Sequence, residues 1–274
     1  MRLGDDYIKA LADAFPYATH LNEVTLSHNR LTSKGITSVL DGLRINKVLL
    51  KKMRTLNLSF NKLSANAVDT LCDLFDDQYS ELQEINLEAN AIGDTKIIKI
   101  CETISKSLID KVTNLNLGQN MITDKACTNI AALVRDCLNL EILIIYWNHI
   151  RNYGASLIMS EIKYHVGMKV FDISWNSIGE NLTHEPSLSE IIKSENVLDV
   201  EGRTFMNVSI SDMRKTMFIN MDSKPKTREK IISPFIKELS SLFNNLNSKM
   251  IHLDISHNNI AFSDSKYISI LTYK

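Results

Sequence analysis

The chain has 274 residues, 44 % hydrophobic and 23 % charged, with 31 Lys and Arg against 32 Asp and Glu and a formal net charge of −1 at pH 7. This composition suits one globular domain, lacks the basic excess of a general nucleic-acid binder, and contains no apolar run near the roughly twenty residues of a membrane span. Cys72, Cys101, Cys127 and Cys137 show no C-x-x-C spacing and no leader-like segment opens the chain, so a reduced, cytoplasmic environment is expected, with neither metal nor cofactor.

In chain order, Leu3 and the following GDDYIKALADAF read as the second half of a unit, with Leu11 and Phe15 predicted on the buried stripe of a helix. A fixed frame then recurs around Asn29, Asn61, Asn90, Asn120, Asn148, Asn176 and Asn258. Apolar residues stand eight, five and three positions before each asparagine and two after it: Leu21, Val24, Leu26 and Leu31 around Asn29, and Met168, Phe171, Ile173 and Ile178 around Asn176. Alternation of apolar and polar residues ahead of the asparagine predicts a short strand with one buried face. Beyond it the period changes. Val39 and Leu43, Leu71 and Phe75, Ile100 and Ile104, Ile130 and Val134, and Ile158 and Ile162 are i, i+4 pairs, which predict a helix after each strand.

The frame is L-x-x-L-x-L-x-x-N-x-L, and it resembles the leucine-rich repeat at the long end of that family's range. The expected fold is an α/β solenoid, or horseshoe, with parallel strands on the concave face and helices on the convex face, in which each unit buries its apolar side only by stacking on its neighbours. The asparagine amide both donates and accepts, so the seven asparagines are predicted to form a structural ladder that satisfies turn backbone rather than a binding site.

The period fails between Asn176 and Asn258, where Pro186 and Glu190 stand in place of the helical stripe, and the stripe returns at Leu239 and Phe243. The chain therefore divides into regular repeats over 1–180, an insertion or degenerate repeat over 181–230, and a helix with a final, apparently truncated repeat over 231–274. The degenerate alternative places Leu198, Val200 and Phe205 in the frame with Arg203 at the asparagine position. The cationic stretch at 222–230 and the sequons at Asn57, Asn181 and Asn207 are read as solvated loop and chance. Both ends stop within a unit, which predicts a longer parent protein or ends covered by partner subunits.

Strand alternation places the variable residues on the concave face. The sets that open with Asn22, Arg54, Gln83 and Thr113, and include Asn57, Asn86 and Asn116, are polar and mixed, whereas the fifth and sixth repeats offer Ile144, Tyr146, Trp147 and Trp175. Equivalent residues of adjacent repeats are neighbours, so Trp147 is predicted against Trp175 with Tyr146 and Ile144 near, as a partner-binding aromatic patch. Packing of the indoles against the insertion is the competing reading.

The frame resembles the ribonuclease-inhibitor type of leucine-rich repeat, from which the chain departs in its few cysteines and lack of two-type alternation. More narrowly, IIYWNHIRNYGA, VFDISWNSIGEN and IHLDISHNNI are similar to repeats of intracellular ciliary and flagellar proteins. That resemblance implies a non-catalytic scaffold in an axonemal or other cytoskeletal complex, with protein partners and no membrane or nucleic acid. No Walker A, G-x-G-x-x-G, H-E-x-x-H or G-x-S-x-G motif is present, so an enzyme is not expected. Two alternatives remain: a GTPase-activating regulator of the Ran GTPase-activating type, using Arg30 or Arg151 on the rim, and a ligand-sensing repeat domain of a larger receptor.

Overall fold

The computed structural model describes residues 4–179, 233–245 and 247–260. The chain divides into two units, Met1–Glu180 with Ile232–Lys274 and Asn181–Ile231, and the described residues all belong to the first.

That unit is built on one seven-stranded sheet in sequential order. Its strands are β1 (Glu23–Thr25), β2 (Thr55–Asn57), β3 (Glu84–Asn86), β4 (Asn114–Asn116), β5 (Ile142–Ile144), β6 (Val170–Asp172) and β7 (His252–Asp254). Every pair is parallel and joins equivalent residues, Val24 to Leu56 at one end and Phe171 to Leu253 at the other. The central residue of each is apolar and, from β1 to β6, buried, while its neighbours face outward.

Helices α1 (Gly4–Ala12), α2 (Ser33–Ile45), α3 (Lys47–Leu50), α4 (Ala65–Phe75), α5 (Asp94–Ser107), α6 (Asp124–Asp136), α7 (Asn152–Ile162) and α8 (Pro234–Phe243) form the other layer. Each long helix packs on the next, including α7 on α8. The i, i+4 pairs lie in the shared core between the layers, fully buried at Val39, Leu43, Leu71, Phe75, Ile100 and Ile104. The fold is an α/β leucine-rich-repeat solenoid, as the frame predicts.

Three positions depart from the expected pattern. Leu11 is 39 % exposed, and α1 buries Ile8 and Ala12 instead, because that face meets α2, where a Cβ at Gly35 would stand 2.9 Å from Ile8 Cγ2 and one at Gly42 2.5 Å from the Ala12 carbonyl oxygen. Leu21 and Phe243 are exposed at 40 % and 48 %. Both belong to the outermost described repeats, where a side chain meets a described neighbour on one side only.

The strands on either side of the long gap pair directly, Val170 with His252 and Asp172 with Asp254, so β6 and β7 are immediate neighbours in the sheet. Pro186, Glu190, Leu198, Val200, Arg203, Phe205, the sequons at Asn181 and Asn207 and the 222–230 stretch lie outside the described residues.

Candidate functional site: the outward strand face

Three columns of side chains run across the repeats; the first two hydrogen-bond turn backbone, and the third stands outside the turns. The first is the asparagine ladder. Asn120 is fully buried, and its amide donates to the carbonyls of Leu87, Leu117 and Gly118 at 2.9, 3.2 and 3.0 Å. Its Oδ1 accepts from the Asn90 and Ile92 backbone N–H groups at 3.0 and 3.4 Å. Asn148, Asn176 and Asn258 repeat the pattern, each donating to its own repeat and the one before. Asn61 does so at the half-buried start of the stack, through the Leu26 and Leu58 carbonyls, and Asn29 donates to the Ser27 carbonyl of its own repeat at 3.2 Å. The ladder has one fault. Oδ1 of the fully buried Asn90 has no partner, because the Leu63 N–H that faces this repeat donates to the Asn90 backbone carbonyl at 3.4 Å instead.

The second column lies four residues before the asparagine. Asn57, Asn86, Asn116, Asp172 and Asp254 each accept, through Oδ1, the backbone N–H two residues on, at 3.0, 3.0, 2.9, 2.9 and 2.9 Å. These are Asx turns that close the strand's end. Strand alternation alone counts the first four among the variable concave residues. The structure corrects that: four residues before the frame asparagine, a recurring Asn or Asp is a fold signal legible in the sequence. Ile144 occupies this position in the fifth repeat, between Asn116 and Asp172 in the register, and cannot make the turn.

The third column is the residue just before the asparagine. His28, Phe60, Ala89, Gln119, Trp147, Trp175 and His257 all have left-handed backbone, with φ between 50° and 59°. Such a conformation costs a non-glycine residue about 1–2 kcal/mol. It turns the chain so that the asparagine enters the core and the side chain before it stays outside. Trp147 stacks on Trp175 with centroids 4.9 Å apart and planes at 18°, and Trp175 on His257 at 3.8 Å. His28 stacks on Phe60 at 4.0 Å. The two histidines thus extend aromatic stacks at the two ends of the column. The indoles are 53 % and 45 % exposed.

Tyr146 takes a different path from the tryptophans. Its hydroxyl hydrogen-bonds the Glu88 carboxylate and accepts from the Gln119 amide at 2.7 Å. The ring crosses the fourth repeat where Gly118 leaves room: a Cβ there would stand 2.5 Å from Tyr146 Cε1. Burial, together with the Glu88 carboxylate, pushes its phenol up to about 12. Of the four predicted patch residues the structure therefore brings Trp147 and Trp175 into contact, points Tyr146 toward the third repeat, and sets Ile144 half-buried on the strand.

Among the described residues no group of three or more His, Cys, Asp or Glu could hold a metal ion. Burial raises the thiols of Cys72, Cys101, Cys127 and Cys137 above the usual range, Cys137 to about 11; a thiol so held is a poor nucleophile. Arg30 and Arg151 are exposed, Arg151 having its backbone N–H on the Asp124 carboxylate at 2.7 Å, and burial raises Asp124 above the ordinary carboxylate range.

Comparison with known proteins agrees with the geometry. A leucine-rich repeat profile matches residues 17–40, 50–72 and 246–261. The chain is 28 % identical over 145 residues to human NACHT, LRR and PYD domains-containing protein 12, covering 53 % of this chain and 13 % of that protein. It is 25 % identical over 227 residues to mouse NACHT, LRR and PYD domains-containing protein 4C, covering 79 % and 22 %. To mouse ribonuclease inhibitor it is 26 % identical over 152 residues, covering 56 % and 32 %. The chain thus spans about a third or less of the length of these relatives.

Proposed function

We propose that this leucine-rich repeat chain is a non-catalytic protein-interaction module whose partner lands on the outward strand face, with Trp147 and Trp175 as its anchor. The observation that carries this reading is the indole stack, two of the largest apolar side chains left 53 % and 45 % exposed on backbone held in the left-handed region. Exposed aromatic groups on a rigid scaffold are the side chains from which interface hot spots are made. Leucine-rich repeats in general bind proteins, and the ladder below the stack fixes its position.

Two settings fit such a module. The W-N phrases support a scaffold in a ciliary, axonemal or other cytoskeletal assembly. The likeness to NACHT-containing proteins, of which the chain matches only a part, favours a ligand-sensing repeat domain of a larger receptor. Affinity capture with cross-linking, from soluble extract and from detergent-stripped cytoskeleton, compares wild type with a folded Trp147→Ala, Trp175→Ala variant. Loss of particular partners from the variant is expected, and the fraction that supplies them discriminates the settings. Identical partner sets for both proteins would refute the anchor. Stimulated GTP hydrolysis that vanishes in Arg30→Ala or Arg151→Ala would move the reading to the GTPase-activating alternative.

A further inference from the structure

The carboxylates beside the indole stack are in excess of what the fold requires. Asp172 and Asp254 close Asx turns, yet Asn57, Asn86 and Asn116 close the same turns with no charge. The two aspartates are direct partners across β6 and β7, and like charges placed opposite each other in a sheet repel. They lie three residues ahead of Trp175 and His257, the rings that stack with Trp147. No lysine or arginine occupies the outward positions six, four and two residues before the asparagine in any repeat; Glu23, Glu84, Glu88, Asp172 and Asp254 do, with His252 the one basic residue. The chain as a whole is nearly neutral, at 31 Lys and Arg against 32 Asp and Glu, so the face is segregated in charge. The cations at its border are committed: Arg54 donates to the Lys51 carbonyl at 2.8 Å, and Lys169 pairs with Glu141 at 2.7 Å. Arg30 and Lys62 lie beyond the asparagines.

We infer that the partner presents a cationic segment, seating an arginine or lysine side chain against Trp147 and Trp175 with Asp172 and Asp254 as its counter-charges. An indole face attracts a cation through its quadrupole. The two carboxylates on the supporting strands add a field that no lysine or arginine at those outward positions offsets, the imidazoles of His252 and His257 being the basic groups that act on Asp254. The inference rests on the reading that the strand face binds protein, and it adds the chemistry of the segment bound.

Both tryptophans of the chain are in the site, so intrinsic fluorescence of the full chain reports on it directly. The probe is a blocked peptide of alternating arginine and glycine, and its control carries citrulline, the neutral isostere, in place of arginine. A saturable fluorescence change with the arginine peptide, at least about tenfold weaker with citrulline, is expected. Asp172→Asn with Asp254→Asn, which copies the side chains of three other repeats and keeps both turns, should weaken the arginine peptide roughly tenfold at low salt and much less at high salt. No saturation at millimolar arginine peptide, equal affinity for both peptides, or indifference to the Asp→Asn pair would each overturn the inference. Those results would leave the indole anchor standing if the Trp147→Ala, Trp175→Ala variant still lost its captured partners. If the variant kept them, both readings would fall together.

Discussion

Removing the side chain of Asn120 and of Asn90 should have different consequences, although the two occupy equivalent positions and are both fully buried. In Asn120→Ala the three carbonyls keep other donors. Leu87 retains the Asn90 amide, Leu117 the Asn148 amide, and Gly118 the Ala89 N–H. The two N–H groups that donated to Oδ1, those of Asn90 at 3.0 Å and Ile92 at 3.4 Å, are left without a partner. At about 1–3 kcal/mol for each unpaired buried group, with the longer bond at the low end, the expected loss is about 2–4 kcal/mol. In Asn90→Ala no N–H is orphaned, because Oδ1 has no partner to begin with. The carbonyls of Leu58, Leu87 and Glu88 keep the Asn61 amide, the Asn120 amide and the Phe60 N–H. That change should cost about 1 kcal/mol of net bonding and packing. Urea denaturation followed by circular dichroism measures the difference. Native-state hydrogen exchange locates it, with the Asn90 and Ile92 amides losing protection in Asn120→Ala. Equal losses in the two variants, or a larger loss in Asn90→Ala, would refute the accounting by orphaned donors.

Trp147→Ala should lower stability by only about 0.5–1.5 kcal/mol, the worth of its exposed stack on Trp175, so that lost binding is separable from lost folding in the same denaturation series. Asp254 is held below the usual carboxylate range by the Ser256 N–H it accepts. Its contribution to stability is therefore present at neutral pH and is lost as pH falls through the depressed value. The urea midpoints of wild type and Asp254→Ala should converge as pH drops from 7 into that range, and a constant gap would contradict the assignment. Gly118→Ala should displace the Tyr146 ring and free its hydroxyl from Glu88, so that one tyrosine moves from about 12 toward the ordinary value of about 10 in a near-ultraviolet titration. All four cysteines are buried, so the native protein should react slowly with a thiol reagent that labels all of them once the protein is denatured; rapid labelling of the native form would show that the helix layer opens.

The strand-and-helix alternation, the parallel order of the sheet and the buried asparagines were legible in the sequence, because a solenoid repeats one local solution. The same apolar offsets and the same amide must recur wherever one unit stacks on the next, so Val24, Leu56 and Ile85 betray their register by spacing alone. Adjacency of Trp147 and Trp175 follows from the same rule. Spacing is silent about contacts that leave the repeat's own rhythm. Tyr146 reaches back two repeats to Glu88 only because Gly118 presents no Cβ, and the Asn90 oxygen is orphaned because the Leu63 N–H takes the Asn90 backbone carbonyl instead. Direct pairing of β6 with β7 across a separation of 82 residues between Asn176 and Asn258 was likewise decided by the sheet, since backbone hydrogen bonds depend on where strands meet in space. The surplus charge of Asp172 and Asp254 required both levels. Comparison of the repeats shows that asparagine suffices there, and the register shows that the two carboxylates stand side by side.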